Sequence, residues 1–425
     1  MRHLNGRVGM CLLLLAFLVA VRTSVFGQAN RLQGDTNTST SDLFGSSWPA
    51  YRGDQRNTGF SPLGEAGGKP WTRATTSSDL WGGPGFAADG TLYVVADGLY
   101  AIDGKSGKQK WHFYAHLTDG AGLAVGQDGL VYFTAGDAVG AVLYAVEAAT
   151  GKQKWAFEVP SHLTRLILPT VGSDGTVYIC SGGLGPISDV NALYAVNGAT
   201  GKLRWSLPLS ERSQAAPLVG RNGRIFCLTR DSTFSAVDAA TRKTVWTFHV
   251  ASATAWAAAA MNDQGIIFLA PAHESRAKPG RWECELVAID SKQGNVLWRH
   301  PYPQALQTPS IGRDGTIYAG GSNGSLYAFD GKTGEQKWAY PTAGTYVTSP
   351  ALAPDGMLYF SGSDGYVYAL KAQSGEKVWQ TRAGRKHLSS PIMNASGLLY
   401  VNSLDQNIYA IRASDGQIAT EAIDL

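Results

Sequence analysis

A phrase of 13 residues recurs along this chain. LYAFDGKTGEQKW, Leu326 to Trp338, has close copies ending at Trp111, Trp155, Trp205, Trp246, Trp298 and Trp379, and a degenerate one, IYAIRASDGQIAT, with Thr420 in the tryptophan position. Successive tryptophans stand 44, 50, 41, 52, 40 and 41 residues apart. Self-similarity at such a period means that one supersecondary unit is stacked on its neighbours, because a single unit cannot bury its own apolar face.

Each copy opens with period-two apolar alternation, as in Leu326 and Ala328 against Tyr327 and Phe329, which is how a half-buried strand reads. A polar break ending in glycine follows, and a second strand carries the tryptophan. Upstream stands another strand behind a tight turn: Asp89-Gly90, Asp128-Gly129, Asp174-Gly175, Asn222-Gly223, Gln264-Gly265, Asp314-Gly315, Asp355-Gly356 and Ser396-Gly397. Glycine recurs there because these turns require positive φ. A proline before most of these turns (Pro84, Pro169, Pro217, Pro309, Pro350, Pro391) opens one more strand at a place where a missing N–H is tolerated. The unit is therefore four strands, A to D, and the pattern predicts an all-β fold, an eight-bladed β-propeller of four-stranded antiparallel blades. A solenoid would need capping units, which the sequence does not show.

The ring must close. Trp71, in KPWTR, lies 40 residues before Trp111 and has no A, B or C strand before it, whereas the last copy has A, B and C but lacks its tryptophan. The spacing predicts that an N-terminal strand around Trp71 completes the eighth blade, with Gln417 to Leu425 as the competing segment.

Residues 1–28 read as a signal peptide, with Arg2 and Arg7 ahead of an apolar run, Leu12 to Val21, too short to span a bilayer. Cleavage is expected near Val25-Phe26-Gly27 or Gly27-Gln28-Ala29, and an uncleaved anchor is the alternative. Residues 29–47 form a flexible lead-in and residues 48–425 a single propeller. The mature chain is expected in the periplasm or secreted, with no transmembrane span. Removing residues 1–27 takes away Arg2, Arg7 and Arg22 and no acid, so the formal charge of +3 falls to 0. A neutral chain has no electrostatic footprint for nucleic acid. Of the remaining cysteines, Cys180 and Cys227 sit on B strands of adjacent units one register apart, which places them on opposite faces, so buried free thiols are expected.

The pattern A-x-D-x-x-T-G-x-x-x-W, complete from Ala328 to Trp338, resembles the tryptophan-docking motif of the pyrroloquinoline-quinone (PQQ) enzyme repeat. The lead-in Trp48-Pro49-Ala50-Tyr51-Arg52-Gly53-Asp54 is similar to the start of mature quinoprotein dehydrogenases. The resemblance implies eight blades, with the docking tryptophans Trp71, Trp111, Trp155, Trp205, Trp246, Trp298, Trp338 and Trp379 packed between neighbouring blades. A tryptophan suits that role, since it brings a large apolar area and an N–H that wants an acceptor. The motif marks a fold and carries no chemistry of its own. The dehydrogenases of the family also carry a vicinal cysteine pair and carboxylates that hold calcium. This chain has no adjacent cysteines.

Two sets of non-repeating residues are candidate sites. The repeat phase, counted four residues before each A-strand proline, puts Leu80, Asp119, Arg165, Ser213, Ala255, Ala305, Tyr346 and His387 at the channel mouth. The next ring is Trp81, Gly120, Leu166, Gln214, Trp256, Leu306, Val347 and Leu388. With one acid, this ring is poor in the oxygen donors calcium needs, so no metal and no catalytic residue are expected. Trp81, Trp256, Tyr346, Arg165, Gln214, Asp119 and His387 suit a planar or anionic ligand, or simply plug the channel. The second set comes from the long B–C insertions, Ser181 to Asn191 and Ala270 to Glu283, which should crown the same face. There His273, Arg276, Arg281 and Trp282 form a candidate partner patch. The expectation is a non-enzymatic exported scaffold, similar to the propeller subunit of the outer-membrane β-barrel assembly machine, without cofactor. Its partners would be other exported or envelope proteins, or a glycan. The alternative is a PQQ-binding protein or PQQ-dependent dehydrogenase using PQQ with Ca²⁺.

Overall fold

A computed structural model of the chain describes residues 69–74, 84–87, 89–96, 98–115, 122–136, 141–159, 165–166, 169–182, 191–213, 215–220, 222–250, 259–274, 282–384, 388–394, 396–418 and 422–423. The signal peptide and the lead-in lie outside them. All the regular elements described are strands, gathered into eight sheets, one per copy of the repeat and counted in chain order as blades 1 to 8. Blade 6 shows the plan: strand A Ser310–Ile311, B Ile317–Gly320, C Ser325–Phe329 and D Gln336–Pro341 pair in sequence order. All eight glycines expected at the A–B turns have positive φ, from 71 to 83°.

The tryptophan phrase is a device for joining blades. In blade 6 Trp338 stands opposite Ala328, with a register shift just after Ala328, and the other six intact copies repeat that arrangement. A bulge there sharpens the local twist. Six indole N–H groups donate to a carbonyl in the C–D turn of the next blade: Trp111 to Ala148 (3.0 Å), Trp155 to Gly198 (2.7 Å), Trp246 to Ser291 (3.1 Å), Trp298 to Gly331 (3.1 Å), Trp338 to Ala372 (3.1 Å) and Trp379 to Ala413 (2.9 Å). A carbonyl has two lone pairs, and at three of these junctions a strand-B tyrosine hydroxyl of the same blade uses the second: Tyr93, Tyr318 and Tyr359. At the junction of blades 3 and 4 Trp205 and Ala239 both pack against the apolar cluster that the two blades share. There the glycine of the phrase is replaced by Arg242, which holds φ at 59°.

Ring closure follows the same chemistry. The strand Trp71–Ala74 pairs antiparallel with Asn407–Arg412 of blade 8, and Trp71 stands opposite Ala410, the register that Trp338 has with Ala328. The Tyr400 hydroxyl donates to Gly104 O in the C–D turn of blade 1 at 2.6 Å. Two residues beyond the tryptophan position, Arg73 donates to Gly107 O and to Gln109 Oε1, much as His300 and Thr381 bond the Thr333 and Gly416 carbonyls of their next blades. The competing C-terminal segment does not displace this strand. Ala422–Ile423 adds outside it, parallel to Thr72 and Arg73, so blade 8 has five strands and its edge is covered. The Trp71 side chain lies outside the described residues.

Most of the apolar core lies between blades. Seven of the eight clusters bring together residues of just two neighbouring blades, as Leu326 and Ala328 of blade 6 meet Leu352, Leu358 and Leu370 of blade 7. Full burial of each leucine among them is worth about 1.5–3 kcal/mol. The remaining cluster joins blades 8 and 1 and also includes Ala215 and Ala216 of blade 4 and Ala351 of blade 7. Blade 4 stands opposite blade 8 in the ring, so this cluster reaches across the central axis through small side chains.

The cysteine expectation holds. Cys180 and Cys227 are buried and free, and their registers do put them on opposite faces of their own blades. In a ring, however, opposite faces of neighbouring blades are the ones that meet, and the two Sγ atoms lie 3.7 Å apart.

Candidate functional site

In blades 6, 7 and 8 the connection into the blade runs across the tip of that blade's own B–C hairpin. Leu306 bridges Gly321, Val347 bridges Gly362 and Leu388 bridges Ser403, while Ser322 N donates to Ala305 O and Ser363 N to Tyr346 O. The D–A connections and the B–C loops therefore share one face, and that face is the candidate site.

These bonds also fix which residues stand at one level. In blade 3 Arg165 and Leu166 pair with Gly182 and Ser181, which agrees with the phase read from the prolines. Blade 4 departs from it. Ser213 bridges Thr229, and Arg230 N donates to Arg212 O, so Arg212 takes the level of Ala305 and Tyr346, and Ser213 that of Leu306. One extra residue between bridge and proline shifts the register there. Ser213 is a packed structural residue, its hydroxyl donating to Ala215 O (2.8 Å) and Leu228 O (2.9 Å). Arg212, which the sequence reading missed, is only partly buried and has Glu211 beside it, Nε to Oε1 3.6 Å.

Of the seven mouth residues singled out for a ligand, Tyr346 is the one whose side chain is described. It is 5 % exposed, and burial raises its phenol well above the ordinary value, so it is a neutral hydroxyl. The residues leading into strand A of blades 6, 7 and 8 include Gln307, Thr308, Thr348, Ser349, Ser389 and Ser390, all buried and uncharged. Ser349 Oγ donates to Thr308 O across the blade junction at 2.9 Å, and Ser310 Oγ to Pro350 O at 2.5 Å. Such a wall offers hydrogen bonds and apolar contact and no general acid or base. Trp81, Asp119, Gln214, Trp256 and His387 lie outside the described residues, and of Arg165 only the backbone is described.

The blade 5 insertion begins as a two-stranded ribbon. Ala272–Glu274 pairs with the start of strand C, Trp282–Asp290, in the register Ala272 to Cys284, His273 to Glu283 and Glu274 to Trp282. His273 Nε2 lies 3.8 Å from Glu283 Oε2. Ala272 is buried in the junction with blade 6, so the ribbon belongs to the scaffold. Arg276 and Arg281 lie outside the described residues, and of Trp282 only the backbone is described. Among the described residues no three His, Cys, Asp or Glu side chains come together as a group that could hold a metal ion. No helix among them is long and apolar enough to cross a membrane.

Comparison with known proteins places the architecture. The family model described as outer membrane protein assembly factor BamB matches residues 59–184, 141–305, 251–353 and 343–422. The chain belongs to this family of PQQ-like propellers. Among solved structures, BamB from Moraxella catarrhalis is similar at 17% identity and a TM-score of 0.60, covering 80% of this chain and 97% of its own. The quinohemoprotein alcohol dehydrogenase of Pseudomonas putida is similar at 15% identity and 0.66, covering 90% and 82%. That of Comamonas testosteroni stands at 15% and 0.65, covering 84% and 76%. At these identities the likeness is one of fold. No curated protein matches the chain in a sequence search.

Proposed function

We propose that the chain is an exported, non-enzymatic propeller scaffold that captures other envelope proteins, or a glycan they carry, on the face where D–A connections and B–C loops meet. The observation that carries this reading is coverage. The family match runs through nearly the whole repeat region, and the chain accounts for 97% of the Moraxella catarrhalis BamB chain but for 76 to 82% of the two dehydrogenases. The chemistry of the described face supports it: a buried neutral tyrosine, buried hydroxyls and amides, and Arg212 at the corresponding level of blade 4.

The test is to delete residues 275–280, beyond the ribbon, and to use the full-length protein as bait against envelope proteins. An unchanged thermal melt with capture lost is the expected result. Unchanged capture removes the blade 5 loop from the interface. The fold likeness to two quinohemoprotein dehydrogenases favours a second reading, a quinone-binding protein. Stoichiometric uptake of PQQ with Ca²⁺ by the purified chain, with dye-linked alcohol oxidation, would replace the scaffold reading.

A further inference from the structure

Two thiols meet where blade 3 faces blade 4. Cys180 stands on strand B of blade 3, Thr176–Gly182, and Cys227 on strand B of blade 4, Arg224–Leu228. They are 47 residues apart in the chain, both 0% exposed, with their sulfurs 3.7 Å apart. Their surroundings are Tyr178, Leu193, Val219, Ile225 and Val237, an apolar pocket that gives neither sulfur another reactive partner. At the junction of blades 1 and 2 the positions equivalent in the repeat are Val95 and Phe133, packed in one cluster. The blade 3–4 junction thus replaces an ordinary apolar contact with two sulfurs held within van der Waals reach of each other, against about 2.05 Å in a disulfide. The same junction carries Arg242 where its neighbours have glycine, and so is built differently on two counts.

We propose that Cys180 and Cys227 form a disulfide that staples blade 3 to blade 4 when the chain folds in an oxidising compartment, a proposal that rests on the exported reading above. The oxidant is another disulfide, of a protein or a small molecule. The thiolate of one cysteine attacks it, forming a mixed disulfide and releasing one of its sulfurs as a thiol. The second cysteine's thiolate then attacks the first cysteine's sulfur, forms the Cys180–Cys227 bond and expels the oxidant's other sulfur. Two S–H bonds are lost, one S–S bond is made, and the oxidant takes up two electrons and two protons as two thiols. Exchange requires the thiolate. In the closed ring the contact with Cys180 and burial hold the Cys227 thiol well above its ordinary value, so the staple forms before the two blades close over it. Cys284 lies in another junction, where burial pushes its thiol up to about 12, and it stays free.

The test has two arms. In the first, the purified full-length chain is unfolded, reduced, and refolded with reduced and oxidised glutathione, then acid-quenched, alkylated without reduction and mapped by mass spectrometry. The expected result is one cross-linked peptide pair containing Cys180 and Cys227, with Cys284 alkylated, and a melting temperature that falls on reduction. Cys180→Ser and Cys227→Ser should each abolish both the cross-link and the redox shift in melting, whereas Cys284→Ser should keep them. Alkylation of Cys180 and Cys227 in refolded protein, or a cross-link through Cys284, would overturn the pairing. In the second arm the same mapping is done on protein isolated from cells. Free Cys180 and Cys227 there, alongside a cross-link in the first arm, would leave the pairing standing and remove the exported reading.

Discussion

Gly375 and Gly356 belong to the same blade, and replacing each by alanine separates backbone strain from blade docking. Both hold positive φ, 72 and 83°. An alanine in that region costs about 1–2 kcal/mol at either site. The surroundings differ. A Cβ on Gly356 would meet nothing within 4 Å, whereas one on Gly375 would lie 2.8 Å from Trp338 Cδ2 and Cε3. The indole cannot share that space and must withdraw from the next blade, which strains its 3.1 Å hydrogen bond to Ala372 O. Loss of that bond costs about 1 kcal/mol, and the lost ring packing adds to it, bounded by the roughly 3–5 kcal/mol of removing a buried tryptophan side chain altogether. Gly375→Ala should therefore destabilise by about 2–5 kcal/mol and Gly356→Ala by about 1–2. Urea unfolding followed by both tryptophan fluorescence and far-UV circular dichroism measures the difference, provided the two probes give coincident transitions. Equal midpoint shifts for the two variants would mean that the indole does not bear on the next blade's glycine.

Four further outcomes follow from the same geometry. Trp338→Ala should cost about 3–5 kcal/mol in the same assay, and a negligible loss would end the view that the indole joins blades 6 and 7. Arg242→Gly should raise the unfolding free energy by roughly 0.5–1 kcal/mol, since glycine holds φ near 59° without strain; a lower midpoint would show that the arginine side chain stabilises the junction. Tyr400→Phe should lose about 1–3 kcal/mol, because it removes the donor to Gly104 O and leaves the Asn394 amide, now donating to that hydroxyl, without its acceptor. The fourth is pH dependence. The backbone N–H of Lys332 first, aided by Thr333 and Lys337, holds the Asp330 carboxyl below its ordinary value of 3.8. A depressed folded pKa gives stability that is complete above the ordinary value and is lost as pH falls through the depressed one. Carbon-detected NMR titration of Asp330 should show a midpoint below 3.8, and a midpoint at or above it would remove that contribution.

The repeat made the architecture legible because a propeller is specified locally. Each phrase encodes its own hairpin and the tryptophan that reaches the next blade, so eight copies and one missing tryptophan pointed to a strand around Trp71 at the last blade, where it pairs with Asn407–Arg412. What a linear pattern does not encode is how faces meet after the ring closes. The parity of Cys180 and Cys227 puts them on opposite faces of their own blades, and circular geometry turns that same parity into contact. The ribbon Ala272–Glu274 was hidden for another reason. Its partner, Trp282–Asp290, is a strand C lengthened beyond the repeat, and Pro279-Gly280 between them reads as an ordinary loop break.

The mouth of the ring was read from the prolines, and blade 4 shows where that anchor fails. A proline fixes where strand A begins, but the level of the residues before it is set by their bonds to the B–C hairpin, and between Ser213 and Pro217 the chain carries one residue more than between Leu306 and Pro309. The proposed capture face therefore includes Arg212 in place of Ser213, and the two can be separated. Ser213 is 1% exposed and its hydroxyl holds Ala215 and Leu228 carbonyls, so Ser213→Ala should lower stability by about 1–2 kcal/mol and leave capture unchanged in the folded protein. Arg212 has a side chain 14% exposed beside Glu211, at the level of Tyr346, and Arg212→Ala should weaken capture with the smaller loss of stability. Binding of the two variants to immobilised partner, each normalised to its folded fraction, decides between them. Weakened capture by the serine variant with full capture by the arginine variant would restore the proline-based phase and move the face one residue along the chain.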